Sequence, residues 1–264
     1  MEQLNPRIGH GWRWGDMITL LGLVVYALRP GLPLFVMGAA GAALMAACIR
    51  PLTGDDRFSR PARAMVGGLC LYLAVAGSWR IWPAYLLVPI AGALGLAFAA
   101  GFGRDFLAAL KRGRLRRSEW ALIALIAIVA ASALVTWVTL FQPDLTRLRG
   151  MVPEWPLLGL IGAGAAFSVV NAILEEIVWR GILQRWLTTF MTPWAAVAVQ
   201  AASFGAAHYA GFPSGAVGIG LAAIWGAMIG GLALRSQGLL APIVAHVAAD
   251  AVIFAVLAGA LEYG

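Results

Sequence analysis

Nine long apolar segments recur along this 264-residue chain. They lie at 16–29, 34–49, 64–79, 82–103, 119–141, 157–179, 193–210, 215–234 and 240–259. Most approach or exceed the ~20 residues that a helix needs to cross a membrane. Only 12% of the residues are charged, against about 25% in soluble domains. The sequence predicts an all-α, polytopic transmembrane bundle of eight or nine helices, the lower number applying if the short first segment does not cross.

Basic residues are unevenly distributed over the predicted connections. Residues 50–63 contain four arginines, and residues 104–117 contain five arginines and Lys111. Short cytoplasmic loops are rich in Lys and Arg, which assigns both loops to the cytoplasm. Alternation then leaves four arginines on the other side: Arg29, Arg80, Arg147 and Arg149. The net charge of +7 is therefore attributed to basic cytoplasmic loops, and nucleic acid is not predicted as a partner. A multi-pass protein of the bacterial cytoplasmic (inner) membrane is expected.

Ionisable side chains within the apolar segments are concentrated in the last third of the chain. Glu175, Glu176 and Asp250 are the acidic ones, and His208 and His246 are two of the three histidines. A charged group at bilayer depth costs at least ~2.5–3.5 kcal/mol on insertion scales. Five ionisable groups in one bundle therefore indicate a functional site.

The depths of these groups also agree. From the predicted breaks at 187–193 and 235–238, helical rise places Glu175 and Asp250 about 18 Å, His208 about 21 Å and His246 about 12 Å from one membrane face. The sequence therefore predicts that these four side chains line one cavity.

Spacing within the first motif separates its two carboxylates. Glu176 and Arg180 are four residues apart and share a helix face, so they are predicted to pair. Glu175 points about 100° away from Glu176 and lacks such a partner. An unpaired carboxylate in a poorly solvated place is a usable general base.

The two histidine motifs have the same four-residue spacing. Phe204 lies one turn before His208 and is predicted to pack beside the imidazole. His246 and Asp250 also share a face, so the carboxylate is expected either to orient the ring or to share a metal with it.

With these motifs, residues 157–259 resemble the CPBP family of intramembrane proteases. That family includes CAAX proteases, Abi-type bacteriocin-processing endopeptidases and the Ras-converting CAAX endopeptidase. The matching features are Glu-Glu-x-x-x-Arg at 175–180, Phe-x-x-x-His at 204–208, a glycine-rich helix with Arg235, and His-x-x-x-Asp at 246–250. The resemblance divides the chain into N-terminal helices with basic loops (1–150) and a catalytic helix bundle (151–264).

The resemblance implies an endopeptidase that hydrolyses a peptide bond of a membrane-associated peptide or protein tail. It implies that Glu175 and His208 activate water and that His246 and Asp250 stabilise the oxyanion. Many members have asparagine where this chain has Asp250. An ionised aspartate cannot donate a hydrogen bond, so Asp250 is protonated, orients His246 or ligates a metal. A prenylated CAAX tail, a bacteriocin leader and a C-terminal sorting tail are the implied substrates, and no residue selects among them.

Alternatives to a metal-independent protease remain open. Glu175, His208, His246 and Asp250 form a nitrogen and oxygen set that zinc accepts, but no His-Glu-x-x-His helix is present. Metal-independent hydrolysis is therefore favoured over a zinc protease. A proton-coupled transporter would use the same carboxylates, but the paired repeats typical of transporters are missing. A non-catalytic membrane scaffold would not need the catalytic motif residues of the family, whereas this chain has a matching residue at every motif position.

Overall fold

The computed structural model describes residues 13–53, 55–76 and 81–259. Within these ranges the chain has eleven helices, a single 3-10 turn and no strand. The helices are α1 (Trp14–Ala27), α2 (Leu34–Ile49), α3 (Ser59–Ala76), α4 (Ala84–Ala99), α5 (Gly103–Ala109), α6 (Arg117–Phe141), α7 (Thr146–Arg149), α8 (Leu157–Leu187), α9 (Pro193–Ala207), α10 (Gly215–Ser236) and α11 (Leu240–Leu257).

The all-helical prediction is confirmed, whereas the predicted total of eight or nine helices is not, since the described residues form eleven. Every predicted segment coincides with a helix, but α5 and α7 lie in connections too short and polar to show a membrane-length apolar pattern. Among the described residues, four helices are long and apolar enough to cross a membrane: α6, α8, α10 and α11. Helices α1, α2 and α4 are apolar but have only 14 to 16 residues. The chain is thus an integral membrane protein, with fewer full-length spans than predicted.

Helices α2 and α3 pack through glycine. A Cβ atom on Gly41 would come within 2.6 Å of the Leu71 backbone nitrogen and 2.9 Å of the Gly67 carbonyl oxygen. Lipid gives little hydrophobic drive for helix association, so such close backbone approach is a main source of packing energy.

A buried polar cluster joins the N-terminal helices to α8. The Asp16 carboxylate accepts hydrogen bonds from Ser59 Oγ at 2.8 Å and from Trp186 Nε1 at 2.7 Å. Beside it, Arg63 donates to both carboxylate oxygens of Asp55, at 2.6 and 3.1 Å. Because Trp186 lies in the last turn of α8, these contacts fix the end of that helix against α1 and α3.

Helix α8 is longer and less regular than predicted. It continues past residue 179 to Leu187, and its hydrogen bonding is π-helical over Ile177–Gln184, directly after Glu176. Single π-helical turns often occur at functional sites because they re-aim neighbouring side chains.

Gly41→Ala is expected to lower the thermal unfolding midpoint of the protein in detergent. The added methyl group would meet the α3 backbone, which cannot turn away as a side chain can, and overpacking costs ~1–3 kcal/mol. Gly92→Ala is the matched control, because nothing lies within 4 Å of a Cβ at that position of α4 and alanine is the better helix former. Equal midpoints for the two variants would contradict the close α2–α3 approach.

Candidate active site

The four predicted site residues line one cavity of about 1120 Å³. Glu175 lies in α8, His208 directly follows α9, and His246 and Asp250 lie in α11. Glu175, His246 and Asp250 are buried, while His208 is partly exposed. The structure thus brings together residues separated by up to 75 positions in the chain.

Glu176 is the centre of a buried ionic network. Its Oε1 atom accepts a hydrogen bond from Arg180 Nη1 at 2.8 Å and lies 2.7 Å from His246 Nδ1. Arg180 also donates to the Gly226 carbonyl of α10 at 3.3 Å, and its guanidinium carbon lies 4.6 Å from the centre of the Phe204 ring. The predicted Glu176–Arg180 pair is therefore present, and it connects α8 to α9, α10 and α11.

The orientation of His246 comes from Glu176. The sequence assigned this role to Asp250 as one of its options, but His246 Nε2 lies 3.7 Å from Asp250 Oδ1 and 3.6 Å from Glu175 Oε2. Both distances exceed hydrogen-bond length, unlike the 2.7 Å contact of Nδ1 with Glu176. Nδ1 therefore carries a proton, since a carboxylate oxygen only accepts, and Nε2 faces Glu175 and Asp250.

One oxygen of Glu175 has no hydrogen-bond partner within the protein. This Oε2 atom is buried and lies 3.6 Å from His246 Nε2. The phenol of Tyr85, in the first turn of α4, is adjacent to this carboxylate. A carboxylate placed in this way is available to a water molecule in the cavity.

His208 is held by the end of α9. Its Nδ1 atom lies 2.9 Å from the Phe204 carbonyl oxygen, and the two ring centres are 4.5 Å apart, so the predicted Phe204 packing is present. Since a carbonyl only accepts, Nδ1 carries the proton and Nε2 is left as an acceptor or base.

Two arginines that the sequence offered only as topology markers fix the backbone around His208. Arg29 Nη2 donates to the Ala207 carbonyl at 2.6 Å, and Arg147 Nη2 donates to the Ala210 carbonyl at 2.9 Å. They come from the α1–α2 connection and from α7, so elements outside the resemblance region position a site residue.

Asp250 is held by a chain of hydrogen bonds that the sequence did not predict. Asn171 Nδ2 donates to Asp250 Oδ2 at 3.1 Å, and Trp82 Nε1 donates to Asn171 Oδ1 at 3.1 Å. The available signal was the position of Asn171, one turn before Glu175 in an otherwise apolar segment. Trp82 precedes α4 and has no sequence signal of this kind.

A zinc site would require the side chains of Glu175, His208, His246 and Asp250 to meet around one metal ion. Over the ranges that the structure describes, no group of three or more His, Cys, Asp or Glu side chains has an arrangement that would hold a metal ion. The two cysteines, Cys48 and Cys70, are buried elsewhere in the N-terminal helices.

The protein is an apolar helical bundle in which buried ionisable groups surround one cavity. This arrangement is typical of a membrane-embedded protein with an enzyme-like site. Residues 155–252 match the family described as Rce1-like, Type II CAAX prenyl endopeptidase. The segment contains all seven predicted site residues, and the predicted resemblance is confirmed over it. The match supports a membrane protease. No curated protein and no solved structure matches the chain.

Arg180→Met is expected to destabilise the protein by about 3–5 kcal/mol, because it leaves the Glu176 charge buried without its partner. Arg235→Met is the matched control: Arg235 pairs with Glu119 at 3.3 Å, but its side chain is 54% exposed. Glu119 keeps its hydrogen bond from the Arg116 backbone nitrogen, so a loss of only about 0–1 kcal/mol is expected. Unfolding by denaturant in mixed micelles measures both. Equal losses would contradict the central role of the Glu176 network.

Proposed function

We propose that the protein is a metal-independent intramembrane endopeptidase whose catalytic residues are Glu175, His208, His246 and Asp250. The observation that carries the proposal is the Glu175 Oε2 atom, which makes no hydrogen bond and is buried in the cavity 3.6 Å from His246 Nε2. The family match over the same residues supports the choice of peptide hydrolysis.

In the proposed first step, a water molecule attacks the carbonyl carbon of the scissile peptide bond. Glu175, assisted by His208, accepts the proton that water loses, and the carbonyl oxygen becomes an oxyanion. The same proton then passes to the leaving amine as the carbon–nitrogen bond breaks. A positioned general base of this kind contributes about 100- to 10,000-fold to a rate.

His246 is the proposed donor to the oxyanion. Its Nδ1 proton is engaged by Glu176, so donation to substrate requires a second proton on Nε2. Glu175 Oε2 and Asp250 Oδ1 lie 3.6 and 3.7 Å from that nitrogen. A donor aimed at a developing oxyanion in a water-excluded site is worth about 2.7–4 kcal/mol.

The proposed substrate is a membrane-associated peptide or protein tail, and the proposed location is the bacterial cytoplasmic membrane. The cavity lining supports a tail with apolar character, since aromatic and aliphatic side chains, among them Trp82, Trp155 and Trp225, surround the few polar groups. Its volume of about 1120 Å³ is at the upper end of ligand pockets and accommodates several residues of extended peptide.

Glu175→Gln is expected to reduce cleavage by about 100- to 10,000-fold, because the amide cannot accept the proton of water. Cleavage of a quenched fluorescent prenylated CAAX peptide and of a membrane-anchored tail reporter, both in detergent, measures the effect. Glu119→Gln is the control, since Glu119 lies at the start of α6 and pairs with Arg235. A fully active Glu175→Gln variant would show that Glu175 is not the general base.

The same cleavage assay tests the metal question. The activity is expected to persist when a chelator is added. Chelator-sensitive activity that zinc restores would show that the protein is a zinc protease.

Asp250→Asn is expected to keep activity within about tenfold of the parent, and Asp250→Leu to lose about 100-fold or more. An asparagine still accepts the Asn171 hydrogen bond and offers an amide donor to the oxyanion, worth about 100- to 1,000-fold in rate. Cleavage rates of the same peptides test this. Equal loss in both variants would show that the carboxylate itself is required.

A further inference from the structure

Three short helices stop at the level of the candidate site. Helix α1 ends, α4 begins and α9 ends beside it, and Tyr26, Tyr85 and His208 from these ends all line the cavity. The helices have 14, 16 and 15 residues, or about 21–24 Å at 1.5 Å per residue. That is less than the ~30 Å hydrocarbon core, so their ends leave space over the site at one side of the bundle.

Longer helices continue past this level and form the walls of the space. From Glu175 back to its start at Leu157, α8 extends about 27 Å. The cavity lining follows the same direction and includes Arg29, Arg147, Met151 and Trp155 beyond the short helices. The cavity is therefore a vestibule that leads from the site towards the connections 28–33, 142–156 and 208–214.

The opposite end of the bundle is closed by packed connections. There the Leu239 backbone nitrogen donates to the Lys111 carbonyl at 2.9 Å, and the Arg114 nitrogen donates to the Ser236 carbonyl at 2.8 Å. The buried Asp16–Trp186 contact lies at the same end. None of these residues lines the vestibule.

The closed end is also the basic end. It holds the loops 50–63 and 104–117 together with Arg13, Arg185 and Arg235, whereas the arginines in the described connections at the open end are Arg29, Arg147 and Arg149. Cytoplasmic connections carry the excess of Lys and Arg. The vestibule therefore opens away from the cytoplasm.

From this geometry we propose that the protein acts on an extracytoplasmic substrate: a membrane-anchored protein whose cleaved segment is an extended stretch just outside a spanning helix. This orientation excludes a lipidated tail on the cytoplasmic side as the substrate. Cleavage of that segment rests on the proposed function, whereas the side from which the site is reached does not.

Thiol labelling in intact bacterial cells tests the orientation without any activity. Tyr209→Cys, at the vestibule rim and 52% exposed, is expected to react with a membrane-impermeant maleimide. Met151→Cys, 56% exposed, is a second rim position should the first variant not accumulate. Lys111→Cys, exposed at the basic end, is expected to react only after permeabilisation. The native Cys48 and Cys70 are buried. Reaction of Lys111→Cys alone in intact cells would overturn the proposal.

Two reporters with the same tail test the substrate class. One displays the tail outside the cytoplasmic membrane, the other inside, and each is produced with the parent protein or with Glu175→Gln. We expect the parent to cleave only the outside reporter at least tenfold above the Glu175→Gln level. Cleavage of only the inside reporter would overturn the proposed side. Rim labelling from outside with neither reporter cleaved would overturn the proposed substrate and the protease function, while the orientation would stand.

Discussion

The buried Glu176 carboxylate is the interaction on which the rest of the site depends. Glu176 accepts from Arg180 and contacts His246 Nδ1 through one oxygen, so a single atom joins two helices and sets the direction of an imidazole. Charges are tolerated this far from water only beside opposite charges and hydrogen-bonding groups. The network therefore exists only in the assembled bundle, and the direction of His246 Nε2 towards Glu175 and Asp250 follows from it.

Around this network the helices fall into two lengths with different roles. Helices α6, α8, α10 and α11 have membrane-spanning length and form walls of the cavity, whereas α1, α4 and α9 stop beside the site. Helices shorter than the hydrocarbon core create a polar cavity inside an apolar bundle, because their ends place backbone and loops at membrane depth, which is tolerated only where they line a cavity. Arg29 and Arg147, which hold the carbonyls next to His208, satisfy two such exposed backbone groups.

The N-terminal helices therefore belong to the architecture of the site, although the family match begins at residue 155. Trp82 fixes Asn171, which in turn fixes Asp250, and Tyr85 is adjacent to Glu175. The Asp16–Trp186 contact anchors the far end of α8. Residues in the first half of the chain thus reach the site through hydrogen bonds.

The sequence alone determined that the chain is helical and membrane-embedded, where its apolar segments lie, and that Glu175, His208, His246 and Asp250 share a cavity. These properties follow from hydropathy, helical rise and the cost of charge in lipid, all of which are local to the chain. Only the tertiary structure decided which partner orients His246, how Asn171 and Trp82 hold Asp250, and at which end the cavity opens. These depend on contacts such as that between Glu176 and His246, 70 residues apart. Helical periodicity predicts which residues share a face of a helix, but which neighbouring helix contacts that face is determined only when the helices pack.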